Sequence, residues 1–390
     1  MIKLRWKKKW IAFESVTWSG THNQCSRQLD FTIPCNPYDK EFKNQSIKLG
    51  DLIYLYDGST QLFVGTVTSR EKSAEIGTAS YVAMDFMHHL LRSTGTYKFK
   101  RTTPEKVVKK ICSDLKIGTT NLAKTKTNIE KMFFEDQGLY NIMVRVYRKA
   151  KAKTGKTYMP KMVGKKVSVI QKGTSSGVTL TQGVDITAAT YSDTTDNMVN
   201  VVKIYSDSMK KLGQVRNKGT VETYGVYQQV YTKEKGVNAK KEAKAMMIGV
   251  TKEASVEAIG NVKAISGYSI MIKDKATGLT GKFYITSDSH TFENGTHVMS
   301  LGLSWKNESE EGAETASTSS QKASKKTVTN DAKCFYLESG SVYHASTTCS
   351  SCKGKAVKKS TVAAMKKVKI SKGKNKGKRK YKPCSKCWKT

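Results

Sequence analysis

The chain is short of acid. Its 32 Asp and Glu face 68 Lys and Arg, a formal net charge of +36. A surface of that sign favours an acidic partner: nucleic acid, an anionic envelope or an acidic protein face. Long apolar runs are also missing. No stretch approaches the ~18 residues of a membrane helix, so no membrane-spanning segment is expected. The first ten residues, Met1-Ile2-Lys3-Leu4-Arg5-Trp6-Lys7-Lys8-Lys9-Trp10, are basic but lead into no apolar core stretch. No secretory signal is expected, and folding in a cytoplasm is. No His-Glu-x-x-His or paired-carboxylate constellation is found, which leans against an enzyme.

Hydrophobic residues make up 38% and charged residues 26%, enough apolar content for globular cores. Collagen-like, low-complexity and fully disordered chains are excluded. At roughly 150 residues per domain, the 390 residues suggest two to four domains. Charge and cysteine are both uneven. Residues 333–390 hold 17 Lys and Arg and one acid, Glu338, a local charge of +16. Five of the eight cysteines lie there as well: Cys334, Cys349, Cys352, Cys384 and Cys387. Cys25, Cys35 and Cys112 are scattered and read as small buried hydrophobes.

Residues 1–93 read as β-rich. Gly50 to Gly58 is an apolar run closed by a turn, and Leu62 to Thr68 is its hairpin partner. Tyr81 to Phe86 is a further strand, and Met87-His88-His89-Leu90-Leu91 ends it or begins a short helix. Residues 94–172 change character. Thr103 can cap a helix that Pro104 opens, and Val107, Val108, Ile111, Cys112 and Leu115 share one face of it. A second helix is expected over Leu139 to Tyr147, then a Lys- and Gly-rich stretch at 148–166, then a strand over Lys166 to Ile170. Residues 173–306 return to β structure. Strands are expected at 198–205, 255–259, 268–273, 282–287 and 297–305. A helical insertion near 216–250, centred on Asn238 to Met247, interrupts them. His290 and His297 flank a hairpin turn at 292–296. Residues 307–332 lack large apolar side chains and read as a flexible linker. The last 58 residues form a separate module.

An internal repeat joins the two β-rich regions. Gly50-x-x-Ile53-x-Leu55-x-Asp57, followed by Gly65, lines up with Gly267-x-x-Ile270-x-Ile272-x-Asp274, followed by Gly281. Both copies read strand, turn, strand. They imply two related small barrels with helices inserted between and within them.

The C-terminal module carries the most specific chemistry. It reads Tyr343-His344-x4-Cys349-x2-Cys352, then Pro383-Cys384-x2-Cys387-Trp388. Zinc takes four N or S ligands tetrahedrally, and a Cys-x2-Cys turn lets both sulfurs face one ion. In a chain without a leader, clustered cysteines read as metal ligands before disulfides. Five candidates compete for four positions: Cys384 and Cys387, then Cys349, with Cys352 or His344 as the fourth. One structural zinc ion is the cofactor expected, and it would supply much of the stability of so small a domain. Two disulfides formed after release from the cell are the alternative. Elsewhere, Ala150-Lys-Ala-Lys-Thr-Gly155-Lys156-Thr157 imitates a phosphate loop. Its required first glycine is Ala150 and it follows a helix, so nucleotide binding is not expected.

The order of several stretches resembles the XkdQ/YqbQ family of phage-like tail proteins, the baseplate hubs of contractile tails and related bacteriocins (tailocins). They are Gly50 to Thr68, Tyr81 to Leu91, Thr103 to Ile111, Leu139 to Met143, Asn200 to Tyr205, Tyr224 to Gln228 before the Ala-rich helix, and above all Gly278 to Leu303. The resemblance implies an α+β, mainly β fold: two tail-tube-like β-barrel domains (1–93 and 173–306) with helical insertions, an α/β insertion domain at 94–172, and a small C-terminal zinc module. It implies a homotrimer whose doubled barrels make a pseudo-sixfold ring between the hexameric tail tube and the trimeric central spike. Expected partners are the tail tube protein, the spike, other baseplate and tape-measure proteins, and DNA passing through the lumen. The expected location is assembly in a bacterial cytoplasm, then the baseplate of a released virion or tail particle. No catalytic residue is carried over. The C-terminal module is similar to zinc-binding Ada-type domains, which implies His344, Cys349, Cys384 and Cys387 as ligands with Cys352 an extra. Two other readings compete: a nucleic-acid-binding zinc protein, and a cell-wall hydrolase carried on a hub. The first needs aromatics among the basic residues of 366–382, where only Tyr381 occurs. The second needs a catalytic constellation that the residues do not display.

Overall fold

The computed structural model describes residues 1–307 apart from 24, 72–75 and 235. Beyond them it describes 326–327, 333–336, 342–344, 358–368, 381–383 and 388–389. The chain divides into two compact units, Met1–Glu311 and Gly312–Thr390.

The first unit begins with seven strands: β1 Ile2–Trp6, β2 Lys9–Ile11, β3 Ser15–Thr21, β4 Gln28–Cys35, β5 Leu52–Asp57, β6 Thr60–Glu71 and β7 Gly77–Asp85. Alternation of buried and exposed side chains is strict in several, as in β4, where Leu29, Phe31 and Ile33 face inward. Short helix α1, Met87–Arg92, follows, so Met87 to Leu91 begins a helix.

An insertion comes next: β8 Thr94–Thr102, α2 Pro104–Asp114, β9 Gly118–Leu122, β10 Ile129–Gly138, α3 Leu139–Thr154, β11 Tyr158–Val163 and β12 Lys166–Gln171. Val107, Val108, Ile111 and Cys112 of α2 pack fully buried with Ile142, Met143, Val146 and Tyr147 of α3. Pro104 opens α2 as expected, but Thr103 makes no side-chain cap. Its hydroxyl engages the Glu105 carboxylate instead. Helix α3 outruns its expected end at Tyr147, because Ala and Lys are good helix formers and Ala150 is buried against the core. Gly155 stops it in the left-handed conformation, φ +68°, its N–H donating to the Lys151 carbonyl at 2.8 Å. The phosphate-loop imitation is therefore a helix end, where a real loop would precede a helix.

The rest of the unit holds β13 Ser175–Thr181, β14 Ile186–Thr194, β15 Val201–Tyr205, β16 Lys211–Arg216, α4 Lys218–Tyr224, β17 Gln228–Thr232, α5 Ala239–Ala245, β18 Thr251–Ile259, β19 Ser269–Lys273, β20 Thr280–Glu293 and β21 Thr296–Ser304. The β20–β21 turn is Asn294-Gly295, with φ +48° and +74°, as two-residue hairpins require. Strands β16-β15-β17 form their own small sheet, packed against α5 through Val202, Ile204 and Ala243.

Thirteen strands make one long sheet in the order β14-β18-β21-β20-β3-β4-β7-β6-β5-β1-β2, with β19 pairing β20 and β13 pairing β19. Two six-strand orders lie within it. The first half runs β3-β4-β7-β6-β5-β1 and the second runs β14-β18-β21-β20-β19-β13. Strand for strand these match. The repeated hairpins fall on β5–β6 and β19–β20, as the sequence repeat places them. The glycines do not correspond: Gly65 sits opposite Ile53, whereas Phe283 sits opposite Ile270. Each half has its own apolar core, around Leu29, Ile53 and Leu55 in one and around Ile270, Ile272 and Leu301 in the other.

In the second unit the described strands are β22 Lys326–Thr327, β23 Lys333–Tyr336, β24 Val342–His344, β25 Lys358–Thr361, β26 Lys382–Pro383 and β27 Trp388–Lys389, with helix α6 Val362–Lys367. Their main sheet is β25-β23-β24-β26. Most of the expected linker lies outside the described residues. The fold is mainly β, with helical insertions.

Candidate functional site: the seam of the long sheet

The two halves meet where β20 pairs antiparallel with β3, Ser287 opposite Thr21 through Glu293 opposite Ser15. Alternation along β20 turns Phe292, His290 and Asp288 inward, and along β3 it turns Val16 and Trp18 inward. Apolar contact at Val16 and Phe292 thus gives way to a polar cluster at Asp288.

Asp288 is wholly buried and receives a two-pronged Arg27 guanidinium. Nη1 donates to Oδ1 at 3.0 Å and Nη2 engages Oδ2. The Ser266 N–H donates to Oδ1 at 2.7 Å. His290 Nε2 stands 3.5 Å from Oδ2 and 3.2 Å from the Ala264 carbonyl, and its Nδ1 is 3.1 Å from His297 Nε2. The Arg27 guanidinium lies 3.9 Å over the Trp18 ring. Burial alone would push the Asp288 carboxyl up. The Arg27 charge and the His290 and Arg27 hydrogen bonds outweigh it and hold the group well below the carboxylate range. Gly20 makes room for the arginine: a Cβ there would stand 2.7 Å from Arg27 Nη1.

The same residue ties a second buried acid. The Arg27 N–H donates to Asp85 at 3.0 Å, alongside the Ser26 hydroxyl at 2.9 Å and the Met87 N–H at 3.0 Å. Burial still dominates at Asp85 and raises its carboxyl to about 6. Burial, then the neighbouring His290, lowers His297 to about 4. A cavity of about 200 Å³ lies beside the seam, lined by Trp18, Cys25, Arg27, Met159, Lys161 and Ser266. With its carboxylate fully engaged, the cluster is built as a lock between the halves. Removing one partner of such a pair leaves an uncompensated buried charge, which costs more than the intact pair adds.

Sequence reasoning did not find this lock. Its one visible signal is Asp288, a charged residue at an inward position of an alternating strand. Of the expected zinc ligands, only His344 is described. It ends β24, is buried, and burial lowers its pKa, favouring the neutral imidazole a metal takes. The parallel β24–β26 pairing sets Tyr343 beside Pro383, the residue before Cys384. Cys349, Cys352, Cys384 and Cys387 lie outside the described residues. Cys334 is a buried free thiol, pushed up to about 11 by burial.

A family model described as YQBQ-like matches residues 16–304. The chain belongs to that family. Two relatives from Bacillus subtilis strain 168, the uncharacterized protein YqbQ and the phage-like element PBSX protein XkdQ, are each 26% identical over 313 residues, 77% of this chain and 95% of theirs. Among solved structures, the 43 kDa tail protein of prophage MuSo2 from Shewanella oneidensis has a TM-score of 0.59 at 14% identity, covering 77% of this chain and 97% of that one. A tail protein from Neisseria meningitidis MC58 has a TM-score of 0.57 at 12% identity, covering 80% and 98%. In fold the chain resembles phage tail proteins.

Proposed function

We propose that this YQBQ-like chain is a structural component of a phage or phage-like tail, the baseplate hub. Three copies form a pseudo-sixfold adaptor between a hexameric tube and a trimeric spike. The observation that carries this reading is the doubled strand order, locked edge to edge at the β20–β3 seam. One chain then offers two near-equivalent sheets, and three chains offer six. Strand β14 has no described strand along one edge at its end of the sheet, which a neighbouring copy in a ring would cover. Exposed Leu212, Tyr224, Val226 and Val230 on and beside the small β16-β15-β17 sheet are further surface for subunits or tail partners. The family relationship to XkdQ and the fold likeness to tail proteins support the same reading. The location is then the virion or tail particle, with assembly in a bacterial cytoplasm and the tube, spike, other baseplate and tape-measure proteins as neighbours. DNA passes through the lumen if the particle carries it.

The C-terminal unit is a zinc module on this reading, with one structural ion held by four of His344, Cys349, Cys352, Cys384 and Cys387. The buried His344 and the β24–β26 register support it. A native mass measurement tests the assembly. A species of three 43.3 kDa chains is expected, and a strict monomer at every concentration contradicts it. Metal analysis of the same sample is expected to give one zinc per chain.

A further inference from the structure

The open end of the long sheet carries a surface that the hub reading leaves unused. On β1, β2 and β5 the outward side chains are Lys3 and Arg5, Trp10, and Tyr54 and Tyr56. The register places Arg5 between Trp10 and Tyr54, and Lys3 opposite Tyr56. The Arg5 guanidinium lies 4.6 Å from the Tyr54 ring centre, 5.1 Å from Tyr56 and 5.8 Å from Trp10. Lys3 lies 5.7 Å over Trp10, and Lys165 reaches Tyr54 at 6.0 Å. Trp10 and Tyr56 meet edge to face at 5.4 Å. Trp10 is 54% exposed. Of the acids at this end, Asp57 is paired with the N-terminal amine at 3.1 Å, and Asp51, near Lys7, accepts from the Trp6 indole N–H and the Lys48 N–H, each at 2.9 Å. Beside the cluster, Lys7-Lys8-Lys9 leads into β2, whose backbone pairs with β1 on one side and with no described strand on the other.

We propose that this end of the sheet docks an acidic, extended segment of a partner protein, which adds as a strand along β2. Three features fit one occupant. Trp, Tyr and Arg grouped in one place are what anchor protein interfaces. The free edge offers amide and carbonyl groups that a peptide backbone pairs and a nucleic acid does not. The local charge selects carboxylates and disfavours a second copy of this basic chain. Single-stranded nucleic acid is the rival occupant, since rings flanked by cations can also stack bases, but it has no backbone amides and carbonyls to pair the β2 edge. Lysines on an edge strand also deter unwanted pairing, so the test must separate guarding from docking.

The full chain is titrated with a labelled peptide of about ten residues alternating glutamate and valine, followed by anisotropy and by amide hydrogen exchange. Binding is expected to slow exchange at residues 8–11 in the unmodified chain. Arg5→Ala with Trp10→Ala is expected to weaken binding about tenfold at unchanged melting temperature, and Lys240→Gln with Lys241→Gln to leave it within about twofold. Arg5→Lys, which keeps the charge and loses the planar stack, is expected to fall between them. The proposal is overturned if the amides of 8–11 stay unprotected, or if the Arg5/Trp10 variant binds like the parent. It is also overturned if a thymidine oligonucleotide binds more tightly than the peptide and protects the same amides.

Discussion

The two halves of the long sheet share a strand order and their core positions, and differ in one strand direction and in their connections. In the first half, β1 lies antiparallel to β5; in the second, β13 lies parallel to β19. Gly58-Ser59 alone turns β5 into β6, whereas Asp274 to Leu279 form the longer turn between β19 and β20. Between β3 and β4 the chain passes directly, but between β14 and β18 it inserts a whole sheet with two helices. The buried hydrogen-bonded order is what both copies keep. The connections, which face outward, are where they differ. A duplicated element that must meet two different neighbours is expected to diverge there first.

The largest expected effect comes from the seam, where the copies depend on each other. Arg27→Ala leaves the Asp288 carboxylate buried without its counter-charge. It should cost about 3–5 kcal/mol in urea denaturation. Loss below ~1 kcal/mol would show that the halves do not rely on the lock. Next come the matched core positions. Leu55→Ala in one half and Ile272→Ala in the other remove fully buried side chains at corresponding places, and each should cost about 2–5 kcal/mol. Nearly equal losses are expected if both halves belong to one cooperative unit. Two transitions in calorimetry would separate them.

The two glycines aligned in the sequence repeat should behave differently. A Cβ at Gly65 would stand 2.3 Å from the Met84 carbonyl oxygen, while one at Gly281 meets nothing within 4 Å but sits at φ +121°. Gly65→Ala should cost about 3 kcal/mol through overpacking. Gly281→Ala should cost about 1–2 kcal/mol through backbone strain alone. The reverse order in chemical denaturation would contradict the pairing that sets Gly65 opposite Asp85 across β6 and β7.

Smallest and most selective is the pH response. His297 in the second half takes its proton near 6.5 unfolded but only at about 4 folded. Its contribution is fully present above 6.5 and is lost as pH falls through 4. Asp85, at the end of the matching strand in the first half, is raised to about 6. Its contribution has the opposite sign, present below ~4 and lost as pH rises through 6. The two partly offset each other between pH 4 and 6.5. His297→Gln should flatten the acid side of a melting-temperature profile and Asp85→Asn should steepen it. Identical profiles for both variants would rule out this opposition.

Much of the first unit is legible in the sequence, because alternation and turn chemistry are local. The β5–β6 hairpin, the apolar face of α2 and the Asn294-Gly295 turn follow from neighbouring residues alone. What is not legible is non-local. Nothing near Ser15 says that β3 pairs with β20, far along the chain, and Arg27 gives no sign that its partner is Asp288. Strands β16 and β17, polar and half exposed, lack the apolar pattern that marks a strand. The repeat was visible through Ile53, Leu55, Ile270 and Ile272, since core positions persist. Its glycines misaligned because the two turns differ in length.

The most direct measurement is an electron cryomicroscopy reconstruction of the assembled tail end. Three copies around the axis are expected. The β3–β7 half and the β14–β21 half should alternate around the ring as six near-equivalent sheets. A ring of six whole chains, or a single chain on the axis, would contradict the adaptor.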